Sequence, residues 1–195
     1  MIFREVEDRD LIERSRRGDV DAFNVLVSRW EKRVFTYLVR NTGNREDALD
    51  LTQDAFLKAY RGLGSLTDVE RFPQWLFRIA HNEAISMHRK NRLPVAEGED
   101  LEAADAEVSG PARSLGNRVE TTLMVEQALA SLPLEQREAV TLKVYQGFKF
   151  DEIAAIVDCP VSTAKSRVYA GLEALKQKLA PARDEGREAH AQRSS

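Results

Sequence analysis

Residues 94–117 restrict the possible folds of this chain more than any other stretch. The segment, PVAEGEDLEAADAEVSGPARSLGN, holds six acidic residues against one arginine, with two prolines, three glycines and no aromatic residue. A segment of this composition cannot bury enough apolar surface to offset the entropy of ordering it, so it is predicted to be a flexible acidic linker. It separates two predicted small domains, residues 1–93 and 118–181, and a polar tail, 182–195, is predicted to be disordered.

Helical periodicity dominates both domains, and no convincing alternation typical of strands is present. Asp19 or Asp21 is predicted to cap a helix that ends at NTGN, residues 41–44, and Asn44 to cap a second helix that runs to about Arg61. Apolar residues of the first helix recur at steps of three and four: Phe23, Leu26, Val27, Trp30, Val34 and Leu38. The fold is therefore predicted to be all-α, with two small helical domains joined by the flexible acidic linker.

Residues 151–179, DEIAAIVDCPVSTAKSRVYAGLEALKQKL, contain two helical patterns that meet at a turn marked by Pro160. Ser162 or Thr163 is predicted to cap the second helix. The buried stripe of that helix is predicted to be Ala164, Val168, Leu172, Leu175 and Leu179. Its opposite face carries Ser162, Thr163, Ser166, Ala170 and Glu173, with Lys165 and Tyr169 on one side and Arg167 on the other. The pattern is that of a helix-turn-helix.

Two interpretations of this polar face are equally compatible with the spacing. Short hydroxyls flanked by cations suit a helix in a DNA major groove, where hydroxyls reach base edges and cations reach phosphates. Alternatively, the two helices form an ordinary hairpin whose polar face meets water.

Composition excludes several other classes of protein. The net charge of −3 leaves no overall basic surplus, so DNA binding must come from local patches and from help by a partner. One cysteine, Cys159, excludes an internal disulfide, and no leader-like or membrane-spanning apolar run is present, so a cytoplasmic protein without membrane insertion is expected. His81 and His88 lack further ligands at metal-binding spacing, and no glycine-rich phosphate loop occurs. We predict no metal, no cofactor and no enzyme.

Four stretches together resemble bacterial extracytoplasmic-function (ECF) RNA polymerase sigma factors. DEIAAIVDCPVSTAKSRVYAGLEAL and the preceding SLPLEQREAVTLKVYQGFKF are similar to the C-terminal helix-turn-helix domain of that family. DALDLTQDAFLKAYRGLGSL and RFPQWLFRIAHNEAISMHRK resemble its polymerase-binding and promoter-melting helices. The resemblance covers roughly residues 8–180 in the order of the family and implies a sigma domain 2 over 1–93 and a sigma domain 4 over 118–181.

The resemblance also implies roles for particular residues. An acidic stripe on the helix after Asn44 is implied to dock on the clamp coiled coil of the largest subunit of core RNA polymerase. Without the family, a stripe of this kind is most often a solvated face, in which Asp54 and Lys58 could form an i,i+4 pair. The stripe consists of Asp47, Asp50 and Asp54, and Gln53, which lies beside it, is included in the implied docking surface.

Promoter DNA, double-stranded and melted, is the second implied partner. Aromatic residues interleaved with cations suit single-stranded DNA, although a small domain also needs aromatic mass in its core. The residues implied to contact the −10 element are Arg61, Leu66, Phe72, Trp75, Arg78 and Asn82. Those implied to contact the −35 element are Ser162, Thr163, Lys165, Ser166, Arg167, Tyr169 and Ala170.

The sequence departs from the common family pattern at two positions that matter. Lys149 replaces the Ser or Thr that caps the first helix of the motif, a loss of about 1 kcal/mol if nothing compensates. Ala170 stands where many relatives carry Arg, so their −35 preference does not transfer directly. Many relatives are held inactive by an anti-sigma factor, which is a further candidate partner. Two alternatives remain: a stand-alone helix-turn-helix regulator, and a decoy that binds polymerase without starting a transcript.

Overall fold

The computed structural model describes residues 6–92 and 116–180, without the side chains of residues 91–92 and 116–121. Most of the predicted linker and the predicted tail lie outside these residues. The described part contains eight α-helices: α1 Asp8–Arg16, α2 Val20–Thr42, α3 Arg45–Gly62, α4 Phe72–Arg92, α5 Gly116–Ala130, α6 Leu134–Val140, α7 Phe150–Ile156 and α8 Val161–Leu179. Residues 6–92 and 116–180 contain no strand, so the all-α prediction is confirmed.

Two predicted caps define the N-terminal helices. The side chain of Asp19 accepts a hydrogen bond from the Ala22 N–H at 3.0 Å, so Asp19 and not Asp21 is the cap of α2. Gly43 ends α2 in the left-handed region, with φ 73°, and this conformation favours glycine. Asn44 then accepts hydrogen bonds from two N–H groups in the first turn of α3. These caps fix the end of α2 and the start of α3, the helix that carries the acidic stripe.

The start of α8 differs from its prediction. The helix begins at Val161, with Pro160 in the N-cap position, so Ser162 and Thr163 lie inside the first turn and cap nothing. An extended proline before the helix sets the chain direction without a side-chain acceptor. The helix therefore starts two or three residues earlier than predicted.

The buried stripe of α8 also differs at one position. Leu172 is 39% exposed, whereas Gly171 beside it is buried. A Cβ on Gly171 would lie 2.6 Å from Cγ2 of Val140, so α6 packs directly against the bare backbone of α8. The stripe therefore runs through Ala164, Val168, Gly171 and Leu175.

Lys149 does not cap α7 with its side chain, and Glu152 compensates for part of this loss. A lysine side chain only donates hydrogen bonds, so it cannot cap the first turn of α7. The Glu152 carboxylate accepts the Lys149 N–H at 2.7 Å and supplies one half of a capping box.

The two halves of the chain pack against each other. Tyr37, Phe77 and Leu76 fill the interior between α2 and α4, and Phe148, which precedes α7, joins the same apolar cluster. The Phe77 and Phe148 rings meet edge to face with centroids 5.1 Å apart. A smaller cluster between α5, α6 and α8 belongs to the C-terminal half alone. The linker thus connects two helical regions that share one apolar core.

Candidate polymerase and nucleic-acid interfaces

The acidic stripe lies on the surface of α3. Asp50, Gln53 and Asp54 are exposed and Asp47 is half-buried. Lys58 pairs with Glu83 of α4 at 2.5 Å, so its ammonium group is engaged across the helix pair, and no Asp54–Lys58 ion pair forms. The stripe therefore presents carboxylates that Lys58 does not neutralise.

An apolar groove of about 480 Å³ lies beside this stripe, between α2 and α3. Gln53 connects the two surfaces, because it lines the groove and lies beside the acidic stripe. Val20, Leu57 and Tyr60 line the groove and are at least 41% exposed, which is unusual for large apolar side chains. The other apolar lining residues are Phe23, Val27 and Phe56. The whole surface combines negative charge with an unfilled apolar groove.

Five of the six predicted −10 residues fall into three groups. Leu66, Trp75 and Arg78 line a pocket of about 190 Å³ between the loop after α3 and the first turns of α4, and we call it the loop pocket. Asn82 is exposed one turn beyond Arg78 on α4 and does not line this pocket. Arg61 is exposed at the end of α3. The structure therefore brings three of the six together.

Two of the residues predicted to contact the −10 element have buried side chains, so the prediction is wrong for them. Phe72 is 1% exposed and its ring packs edge to face on Trp30, with centroids 6.0 Å apart. Leu66 is 5% exposed, although it is one of the residues that line the loop pocket. A small domain draws its core from the same aromatic and aliphatic residues that a DNA surface would use. Phe72 and Leu66 are therefore removed from the candidate contacts.

The outer face of α8 is open to solvent. Its exposed residues are Ser162, Lys165, Ser166, Tyr169 and Ala170, and Thr163 and Arg167 are half-buried. Tyr169 is 61% exposed, and its ring packs on Phe150 of α7 with centroids 5.8 Å apart. The seven predicted −35 residues therefore share one face, which we call the recognition face.

Polar contacts between the two halves of the chain were missed by sequence reasoning. The Glu138 carboxylate of α6 accepts a hydrogen bond from the Tyr37 hydroxyl of α2 and lies 2.6 Å from Nδ1 of His81 on α4. Burial, aided by the adjacent carboxylate, raises the pKa of the Tyr37 phenol well above its ordinary range. Arg33 of α2 donates to the backbone and side chain of Gln146. Isolated polar residues like these form no periodic pattern, so nothing in the sequence singles them out.

Side chains that could bind a metal ion do not cluster among the described residues. Among residues 6–92 and 116–180, no three His, Cys, Asp or Glu side chains are arranged to hold a metal ion. His81 of α4 contacts Glu138 of α6, where the two helical regions meet, and His88 takes no part in this pair. No helix in the described ranges is long and apolar enough to cross a membrane.

Two protein-family models match the parts of the sequence that contain these surfaces. The family models for Sigma-70 region 2 and Sigma-70 region 4 match residues 26–93 and 122–175. These two regions define a sigma factor of the sigma-70 type, in which region 2 and region 4 bind core RNA polymerase and promoter DNA. The matched ranges contain the acidic stripe, the loop pocket and the recognition face.

Curated relatives narrow the family further. The RNA polymerase sigma-H factor of Pseudomonas aeruginosa is 36% identical over 191 residues, covering 90% of this chain and 95% of the relative. The ECF RNA polymerase sigma-E factor of Escherichia coli K12 is 36% identical over 185 residues, covering 91% and 96%. The chain belongs to the ECF sigma factors. It is an alternative sigma factor that directs transcription initiation, and sigma factors are non-catalytic initiation factors.

Two solved structures are similar over most of the chain. The structure of CnrH in complex with the cytosolic domain of CnrY has a TM-score of 0.63 and 25% identity, covering 87% of this chain and 95% of that chain. The sigma factor RpoE of Bartonella quintana, in complex with the anti-sigma factor NepR, also gives 0.63 and 25%, with coverage of 83% and 98%. Both similarities extend across the two helical regions.

Proposed function

We propose that the three surfaces divide the work of promoter recognition, with the acidic stripe and apolar groove docking on the clamp coiled coil of the largest polymerase subunit. Exposed carboxylates would speed the encounter with a basic partner surface. The groove would then take up apolar side chains of the partner, since an exposed apolar groove of this size favours protein binding. The observation that carries this assignment is the joining of both features at Gln53.

The loop pocket and the outer face of α4 are proposed to bind the melted −10 element. Trp75 offers a half-buried aromatic ring at the pocket wall, and Arg78 brings a cation to its rim. Base stacking on aromatic rings and backbone contact with cations are the usual means of holding single-stranded DNA. Asn82 would contact a neighbouring base, because its amide can both donate and accept. Arg61 would contact the backbone from the end of α3.

The recognition face of α8 is proposed to enter the major groove at the −35 element. Ser166 and Thr163 are short enough to let the helix approach base edges, whereas Lys165 and Arg167 flank them as phosphate contacts. Ala170 carries only a methyl group, which suits packing on a thymine methyl. Tyr169 is held against Phe150 of α7, so it would help fix the angle of α8 in the groove.

The remaining proposals concern the whole chain. We take the domains to be 1–93 and 118–181, joined by 94–117 and followed by the tail 182–195. The protein is proposed to have no enzymatic activity, to need no cofactor and to act in the cytoplasm, where core polymerase and promoters are found. An anti-sigma factor is a proposed partner, because both similar solved complexes contain a second protein bound to the sigma-like chain.

In-vitro transcription with core polymerase on genomic DNA tests the proposal. Adding the protein should produce transcripts from a small set of promoters that core polymerase alone does not use. A stand-alone regulator would protect DNA in a footprint without polymerase, and a decoy would bind polymerase without producing a transcript. Either result would overturn the proposed function.

A further inference from the structure

The loop after α3, which lines the loop pocket, is bound to α1 through its backbone. This loop contains two 3₁₀ turns, Leu63–Ser65 and Val69–Arg71, and both lie against α1. Arg16, the last residue of α1, donates from Nε to the Leu63 carbonyl oxygen at 3.1 Å and from Nη2 to the Leu66 carbonyl oxygen. A single guanidinium group therefore holds the backbone on both sides of the first turn.

The chemistry of these two acceptors suits an arginine in particular. Leu63 is the C-cap residue of α3, and the last carbonyl groups of a helix have no partner within it. The Leu66 N–H reaches the Leu63 oxygen only at 3.4 Å, which is long for a hydrogen bond. A guanidinium group presents its N–H donors in a fixed planar fork, whereas a lysine ammonium group is a point charge on a flexible chain. Arg16 therefore sets the separation of the two carbonyl groups.

The residues next to this contact form a wall of the loop pocket. Four consecutive loop residues, 65–68, line the pocket together with Trp75 and Arg78 of α4. The Leu66 side chain is buried and anchors the loop to the core, whereas Thr67 and Asp68 are exposed. The shape of the pocket therefore depends on the backbone path that Arg16 holds.

The same turn also determines where Trp75 lies. A Cβ on Gly62, at the end of α3, would lie 3.3 Å from Cζ2 of Trp75, so the indole ring packs closely on the bare backbone before the loop. The Ser65 hydroxyl donates to the Gly62 carbonyl oxygen at 2.7 Å and connects the turn to the end of the helix. A shift of the turn would therefore move both the loop wall and the ring that is proposed to stack on a base.

A second arginine of α1 contacts the other end of the loop in a different way. Arg9 Nη2 lies 2.6 Å from Oε1 of Glu70, and the two side chains are 54% and 69% exposed. An ion pair with this exposure contributes little to stability. Glu70 does not line the loop pocket. Arg16, in contrast, binds the backbone directly beside the pocket.

We propose that Arg16 is a positioning residue for the capture of a melted −10 base, and that it acts through the backbone of residues 63–66. In this role Arg16 contacts the loop and not the base. It contributes to the choice of base at the −10 element, and not to docking on polymerase. This inference rests on the proposed −10 role of the loop pocket.

Three variants separate positioning from a general effect. Arg16→Met removes both donors and keeps an apolar side chain, and Arg16→Lys keeps the charge without the planar fork. Arg17→Met is the matched control, because Arg17 is the adjacent cation and pairs with Glu13 at 3.9 Å. Each protein is assembled with core polymerase on a promoter mapped by in-vitro transcription, and on templates in which each −10 or −35 base is replaced in turn. The measured quantity is the preference ratio, which is transcript from the parent promoter divided by transcript from the replaced template.

Arg16→Met should lower the preference ratio at least about fivefold at the −10 position where the wild type discriminates most, because a misplacement of about 1 Å can cost about a hundredfold. Arg16→Lys should lie between Arg16→Met and the wild type, and Arg17→Met should match the wild type. Preference ratios at −35 and affinity for core polymerase should stay unchanged in all three. Arg16 is exposed, and its loss leaves the buried side chains of Leu63 and Leu66 in place.

A general structural role would give a different pattern. Less transcript from every template with unchanged −10 preference ratios, or altered −35 ratios with weaker polymerase binding, would refute the positioning role. If Arg16→Met does not fold, as judged by circular dichroism, Arg16→Lys carries the comparison, and a wild-type −10 ratio for that variant would refute the inference. A wild-type holoenzyme without preference at any −10 position would instead refute the −10 role of the loop pocket. Absence of transcripts from it would refute the proposed function itself.

Discussion

Replacing Gly171 by alanine tests whether the close approach of α6 and α8 sets the stability of the C-terminal domain. The added Cβ would lie 2.6 Å from Cγ2 of Val140 and 3.3 Å from the carbonyl oxygen of Gln136. Ordinary carbon–carbon contacts lie at about 3.5–4.0 Å, so one helix must move by about 1 Å. Val140 is buried and β-branched, and in a helix its side chain has one strongly preferred rotamer. It cannot easily turn away.

Two effects of opposite sign determine the result. Overpacking of a buried contact costs about 1–3 kcal/mol. Alanine is favoured over glycine in a helix interior by about 1 kcal/mol. The difference predicts that Gly171→Ala lowers the free energy of unfolding by about 1 kcal/mol, whereas helix propensity alone predicts an increase of the same size. The sign of the change therefore separates the two effects.

Urea unfolding followed by circular dichroism measures this change. Ala170→Gly is the matched control, because it alters helix propensity at the neighbouring exposed position without touching α6. Gly171→Ala should also cost less in a Val140→Ala background, where the methyl group at 2.6 Å is gone. If Gly171→Ala stabilises the protein, the close helix approach does not limit stability and this reasoning is wrong.

Four further predictions follow from the surfaces and the buried phenol. Reversing Asp50 and Asp54 to lysine should weaken binding to core polymerase in a pull-down while leaving the circular dichroism spectrum unchanged; full binding would remove the clamp-docking proposal. Asn82→Ala should spare polymerase binding but lower permanganate reactivity of promoter thymines, and a premelted template should restore transcription. Ala170→Arg should shift preference toward guanine at one −35 position in a library selection, because a guanidinium pairs bidentately with the guanine edge; an unchanged preference would favour the plain hairpin. Stability should fall as the pH rises above the ordinary phenol value of 10.0, because the unfolded chain loses the Tyr37 proton before the folded chain does; Tyr37→Phe should reduce this loss in urea titrations.

The predictable part of this structure depends on residues whose effect is local. Asp19 and Asn44 cap their helices because a short acceptor before an apolar-periodic segment satisfies free N–H groups, whatever the rest of the chain does. The α3 stripe and the α8 face were likewise predictable, since helical periodicity alone assigns residues to a face. What these faces bind came from resemblance, because a solvated face and a docking face have the same spacing.

The errors have the opposite origin, in contacts between distant segments. The sequence alone places Leu172 on the apolar stripe of α8. In the structure, α6 packs against Gly171 instead, and Leu172 lies beside that contact and is exposed. Phe72 and Trp75 lie three residues apart on one helix, yet Phe72 is buried and Trp75 reaches the pocket wall. Aromatic residues interleaved with cations predict both a core and a DNA surface, and tertiary packing alone decides between them.

The length of the chain between the two helical regions permits both their direct contact and their separation on promoter DNA. Twenty-three residues separate the end of α4 at Arg92 from the start of α5 at Gly116. Covalent geometry allows at most about 3.3–3.6 Å per residue, so this segment can span up to about 80 Å. That reach is close to the distance of about 85 Å between promoter positions −35 and −10, at about 3.4 Å per base pair of B-form DNA. The same segment also permits the direct contact of Glu138 with Tyr37. A much shorter connection would permit only the direct contact between the two helical regions, so the length of this segment has a physical role.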